Sequence, residues 1–149
     1  SPADVATQSV DAHVDMARRI IAAAPPAVIE TPTRGAAQIG SSGDAAQIGS
    51  SGNYARIGSS GNAAQIGSSG NDAQIGSSGN YAQIVATGEN ATIACAGTCA
   101  RVKAGRNGCF ALAWHDGTRN RIVVGYVGED GIKADTWYRV ESGTLVEAA

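Results

Sequence analysis

Isoleucine returns along this chain at a fixed interval. Ile39, Ile48, Ile57, Ile66, Ile75, Ile84 and Ile93 are nine residues apart, and Val102 continues the series to eight units. The consensus unit is G-S-S-G-N-x-A-Q-I. A fixed short period means that each unit is one structural module stacked on its neighbours. Nine residues are too few for a helical hairpin and suit one short strand plus one tight turn. In "NYARI", Asn53, Ala55 and Ile57 alternate with Tyr54 and Arg56, the period of a strand with one buried face. The Ala and Ile set is uniform and is expected to line a narrow core. The alternate set varies and is expected outside. The glycines of "GSSG" supply the turn by taking positive φ. Two units make one coil of 18 residues. Stacked coils then form two parallel sheets, rising about 4.8 Å per coil and giving a rod of roughly 20 Å. Each repeat must match the one above it, because ladders of like side chains share one register. The column Asp44, Asn53, Asn62, Asn71 and Asn80 is read in two ways. It forms inward amide ladders that satisfy turn backbone groups, or it holds plain turn-formers.

The flanks follow other patterns. Residues 1–24 read as a helix: Ser1-Pro2-Ala3-Asp4 fits an N-cap with proline at the first helical position. Val10, Val14, Ala17 and Ile21 form its apolar stripe, which either caps the next module or drives homo-oligomerisation. Pro25-Pro26 ends the helix, and residues 25–34 form a Pro-rich linker. The repeats occupy residues 35–105. Residues 106–149 lose the period and read as strands joined by Gly-containing turns, with "VESGTLVE" a hairpin signal. Both tryptophans and the only phenylalanine fall here. A solenoid end exposes unpaired edges and an open core, so this segment is expected to be an antiparallel β cap. The fold class expected is all-β: a two-sided parallel β-solenoid with an N-terminal α-helix and a C-terminal antiparallel β cap.

Composition narrows the function. Net charge is −2 over 149 residues, which gives no nucleic-acid footprint. No apolar run is long enough to span a membrane, and no secretory leader is expected. The chain begins at Ser1 rather than Met, so the natural start is expected to have been removed or replaced. The odd count of three cysteines, Cys95, Cys99 and Cys109, argues against a disulfide framework and for reduced thiols in a cytosol. Catalysis finds little footing. Trp114-His115-Asp116 lacks a nucleophile elbow, and neighbours in a strand face opposite ways. Glu129-Asp130-Gly131 reads as a turn, and His13 as a solvated helix position. No catalytic, cofactor-binding or metal-ligating residue is assigned. If units alternate, one sheet displays Tyr54 and Arg56, and the other Tyr81, Gln83 and Arg101. These five are the candidate partner-binding residues.

Three resemblances add to this reading. The nonapeptide is similar in architecture to the β-roll of calcium-binding toxin repeats. Those carry an aspartate per unit as a hard oxygen ligand, whereas this column is mostly asparagine, so no calcium is expected. The "NxAxIG" wording resembles the head repeats of trimeric autotransporter adhesins. Residues 35–149 resemble an uncharacterised family of small phage and prophage proteins, through "SGNYAQI" and through Gly108, Cys109, Trp114, Ile132, Lys133, Asp135, Trp137 and Tyr138. That resemblance implies a β-solenoid in a phage or prophage setting and brings no catalytic residues. The expected function is therefore a non-enzymatic, oligomeric interaction protein in the host cytoplasm. It binds a host or phage protein, with modulation of host defence as one outcome. The alternative is a virion or tail accessory part acting as a rigid spacer.

Overall fold

The computed structural model describes residues 28–30 and 37–148. The helix expected over residues 1–24, with Val10, Val14, Ala17 and Ile21, lies outside the described residues. Those described contain no helix and thirteen strands. They are β1 (Val28–Glu30), β2 (Gln38–Ser41), β3 (Gln47–Ser50), β4 (Arg56–Ser59), β5 (Gln65–Ser68), β6 (Gln74–Ser77) and β7 (Gln83–Ala86). Then come β8 (Thr92–Cys95), β9 (Arg101–Ala104), β10 (Cys109–His115), β11 (Asn120–Tyr126), β12 (Thr136–Glu141) and β13 (Thr144–Glu147). β1 falls inside the stretch read as linker, where it adds a parallel rung to β3.

Successive strands alternate between two sheets, ordered β1-β3-β5-β7-β9-β12-β13 and β11-β10-β8-β6-β4-β2. From β2 to β9, each strand pairs in parallel with the next but one. Ile39 lies beside Ile57, Ile57 beside Ile75, Ile48 beside Ile66 and Ile66 beside Ile84. The offset is one 18-residue coil throughout. The protein is a two-sheet parallel β-solenoid of about four turns. Its core is the Ala and Ile ranks, all buried, with Ala55, Ala64, Ala73 and Ala82 fully enclosed. Each buried Ile contributes roughly 1.5–3 kcal/mol relative to an exposed one.

Three details of the turn differ from the sequence reading. The positive φ sits not on glycine but on the variable residue x: Ala45 (57°), Tyr54 (60°), Ala63 (58°), Asp72 (58°), Tyr81 (61°), Asn90 (61°) and Cys99 (63°). The left-handed conformation costs a non-Gly residue roughly 1–2 kcal/mol. A bond between coils at the same residue offsets it: the Tyr54 N–H donates to the Asn71 carbonyl at 2.8 Å, and Ala63 to Asn80 at 2.8 Å. The second glycine of "GSSG" serves close approach instead. A Cβ at Gly61, Gly70, Gly79, Gly88 or Gly97 would collide with the backbone of the glycine one coil earlier.

The Asn column is a ladder, but an exposed one. Asp44, Asn53, Asn62, Asn71 and Asn80 all lie at the surface. Their Oδ1 atoms accept backbone N–H bonds from Asn62, Asn71, Asn80, Glu89 and Thr98 at 2.8–2.9 Å. With x left-handed, the preceding side chain runs along the stack toward the next coil rather than into the core. The third inward rank is the first serine of each unit, which the alternation did not assign. Ser41, Ser50, Ser59, Ser68 and Ser77 are buried, and the Oγ atoms of Ser59, Ser68 and Ser77 have no hydrogen-bond partner. Farther along, the same ranks hold Ala86, Cys95 and Ala104.

Beyond β9 the coil gives way to longer strands. β10 still pairs parallel to β8, while β11 pairs antiparallel to β10. On the other sheet β12 pairs antiparallel to β9, and β13 to β12. Ser142 (49°) and Gly143 (83°) make the two-residue turn between β12 and β13, both with the positive φ that a type I′ hairpin requires. Phe110 and Tyr138 stack with centroids 5.9 Å apart. Val127, Ile132, Val140 and Leu145 pack against that end of the core. The Lys133 N–H donates to Tyr138 Oη at 2.7 Å, which satisfies the one polar atom the buried ring carries.

Candidate functional site

Strand geometry sorts the outward residues into ranks that run along the stack. On the seven-stranded sheet, Gln47, Gln65, Gln83 and Arg101 form one rank, and Gly49, Gly67, Val85 and Lys103 the next. The antiparallel β12 then sets Trp137 beside Lys103. Arg139, two residues on, shares that outward face. The guanidinium carbon of Arg101 stands 4.8 Å from the Trp137 ring centroid, and Lys103 Nζ stands 5.9 Å away. Arg101 Nη2 also donates to Gln83 Oε1 at 3.2 Å, and Arg139 Nη2 lies 3.0 Å from Glu141 Oε2. The result is a surface with three cations and one carboxylate around a tryptophan. A shallow groove of about 370 Å³ leads to it along Gln47, Gln65 and Gln83 and ends on Trp137. Around the corner, a cleft of about 460 Å³ is lined by Tyr81, Cys99, Arg101, Trp114, His115 and Arg139, among others.

The structure divides the five residues singled out from the sequence. Tyr81, Gln83 and Arg101 fall together on this corner and the Trp137 face. Tyr54 precedes β4 and Arg56 opens it, so they belong to the six-stranded sheet. On that second face a groove runs past Gln38, Arg56, Gln74 and Thr92 over Gly40, Gly58, Gly76 and Ala94. Both tyrosines occupy the left-handed corner position and stand well exposed, at 61% and 63%. Sequence reasoning missed Lys103, Trp137 and Arg139. Lys103 carries a signal, since it brings a charge into a rank of Gly and Val; the position of Trp137 depends on an antiparallel register that no period announces.

The His115-Asp116 pair is occupied with local structure. His115 Nδ1 lies 3.1 Å from Asn120 Oδ1. Asp116 Oδ1 accepts the N–H groups of Thr118 and Arg119 at 2.7 and 2.8 Å, and Oδ2 meets Arg121 Nε. These bonds, the Arg119 amide first, hold the carboxyl below the usual carboxylate range. The arrangement pins the β10–β11 turn. Among the cysteines, Cys95 is buried, and burial pushes its thiol up to about 12. Cys99 is exposed and Cys109 half-buried, and all three are free thiols. Among the described residues no group of three His, Cys, Asp or Glu side chains converges as a metal site would. Comparison with protein-family models, with curated proteins and with solved structures gives no match.

Proposed function

We propose that this protein is a non-enzymatic interaction module, in the phage or prophage setting that its repeats and C-terminal segment resemble. It holds a protein partner against the outer face of the seven-stranded sheet. The observation that carries this reading is Trp137 lying under Arg101 and Lys103 at the end of a flat Gln and Gly surface. Tryptophan and arginine are the side chains that most often dominate binding energy at protein interfaces. With Arg139 alongside, the face suits a partner bearing carboxylates. Strands β10 to β13 act as the cap that ends the stack, and they hold Trp137 and Arg139 in place. Modulation of host defence in the host cytoplasm is the outcome this reading favours.

A second reading, a virion or tail spacer, draws support from the unbroken 18-residue register between β2 and β9, which makes the stack stiff. Affinity capture from host extract by the full chain, beside Trp137→Ala and Arg101→Glu, tests the first. A partner retained by the wild type and lost by both variants, with elution promoted by salt, is the expected result. Equal capture by all three proteins refutes it. Finding the protein stoichiometrically in purified particles establishes the second.

A further inference from the structure

We propose that the chain forms a two-fold dimer through the free edge of β11, which pairs antiparallel with β11 of a second copy and joins the two six-stranded sheets into one. β11 is the last strand of its sheet. The Asp116 N–H donates to the Arg119 carbonyl at 3.0 Å, and the Val127 N–H to the Gly108 carbonyl at 2.9 Å. Antiparallel pairs alternate, so the odd-numbered residues of β11 direct their backbone groups at β10. Asn120, Ile122, Val124 and Tyr126 direct theirs to the open side. There, among the described residues, nothing bonds to the N–H or C=O of Ile122 or Val124. The side chains of the same residues are apolar and exposed: Ile122 by 69%, Val124 by 49% and Tyr126 by 52%.

An edge of this kind normally carries protection: brevity, an inward charge, proline or a bulge. The neighbouring sheet shows such protection. Its last strand, β13, has four residues and ends on Glu147, whose carboxylate meets Lys133 Nζ at 3.1 Å. β11 has seven residues, about 24 Å of extended chain, with Ile122-Val123-Val124 at its centre and no charge between Arg121 and Glu129.

The occupant that fits is another β11. A strand paired antiparallel with itself is isologous, so the contact closes at two copies. Centred on Val124, the register sets each Val124 opposite its counterpart and Ile122 opposite Tyr126. Beyond Tyr126 the chain turns, with the Glu129 N–H donating to the Tyr126 carbonyl at 3.0 Å, so the paired stretch ends there. Shifted to centre on Val123, the pairing sets Ile122 opposite Val124 and places the polar Asn120 opposite Tyr126. This contact lies on the sheet opposite to the Trp137 face, so the two proposals fail independently.

Sedimentation of the full chain at high micromolar concentration tests it, with circular dichroism as the control for folding. The wild type is expected to be a dimer. Val124→Lys places two cations on the two-fold axis and is expected to give a folded monomer. Val124→Pro removes only an N–H that faces the open side and is expected to do the same. A monomeric wild type overturns the proposal. So does a dimer that survives Val124→Lys, which moves assembly elsewhere, for example to residues 1–24. Growth beyond two copies overturns it as well.

Discussion

Gly67 and Gly70 stand three residues apart in the same repeat, and replacing each with alanine is expected to move stability in opposite directions. Gly67 lies in β5, and a Cβ built there meets nothing within 4 Å. The substitution adds no clash and narrows the unfolded ensemble, so Gly67→Ala is expected to stabilise by about 0.4–1 kcal/mol. Gly70 is buried at the turn. A Cβ there would overlap the carbonyl group of Gly52 and lie 2.8 Å from the Asn53 amide nitrogen. Those are backbone atoms, so no rotamer change relieves the overlap. Carbon contacts are comfortable only near 3.5–4.0 Å, and the two coils must part locally by roughly an ångström.

The bonds that cross this gap are short. Ser69 N–H reaches the Ser50 carbonyl at 3.0 Å, Asn71 N–H reaches Asn53 Oδ1 at 2.8 Å, and Tyr54 N–H reaches the Asn71 carbonyl at 2.8 Å. Parting the coils carries these three past useful range. At about 0.5–1.5 kcal/mol each, the loss of the three sums to about 1.5–4.5 kcal/mol, and that is the destabilisation expected for Gly70→Ala. Urea unfolding followed by circular dichroism measures both variants against the wild type. Similar shifts for the two variants, or a neutral Gly70→Ala, would refute the close-approach account of the second glycine.

Three further outcomes concern the core. Ile66→Ala is expected to cost about 2–5 kcal/mol and Gln65→Ala under about 0.5 kcal/mol in the same urea assay; comparable costs would contradict the assignment of inside and outside. Ser68→Ala removes a buried hydroxyl without a partner at a rank where Ala86 already stands, so a rise of up to about 1 kcal/mol is expected, and a clear fall in melting temperature would show a hidden partner. Burial pushes the Cys95 thiol up to about 12, so its contribution is complete below the unfolded thiol's pKa and is lost as pH rises toward the folded one. Relative to Cys95→Ala, the wild type is expected to lose about 1.4 kcal/mol per pH unit above about pH 9; parallel stability curves would place the thiol in contact with water.

The solenoid is legible in the sequence because its cause is one-dimensional. A one-residue slip would turn every Ile outward, so strict recurrence of Ile and Ala marks the inside without any coordinates. What escapes depends on the neighbouring coil. Nothing within one unit says that Gly70 is needed because Gly52 passes beside it, or that Tyr54 rather than a glycine takes the left-handed corner. The Asn column shows both sides of this. Its recurrence announces a ladder, but its direction is set by the corner geometry, and the side chains run along the surface rather than inward. The candidate face is half legible for the same reason. Gln83 and Arg101 are one period of two units apart and group together on sequence alone. Trp137 reaches them from β12 through an antiparallel pairing with no periodicity to betray it.

The ladder itself decides where the chemistry gathers. Residues of one outward rank repeat at about 4.8 Å. Two like charges at that spacing repel by about 1 kcal/mol even in bulk water, and a charge repeated along a rank meets that repulsion at every step. These ranks therefore hold mostly neutral side chains, and the one interior cation, Arg56, sits between Gln38 and Gln74 rather than beside another cation. Only where the parallel stack stops is the constraint lifted. Arg101 and Lys103 lie on the last parallel rung of their sheet, and β12 sets Trp137 next to them, a ring whose face attracts cations. The antiparallel strands that end the stack thus also make room for charged and aromatic groups that a matching coil would exclude. A solenoid built from near-identical units is expected to place its binding residues at its ends, and here both proposed contacts, the Trp137 face and the β11 edge, lie at the C-terminal one.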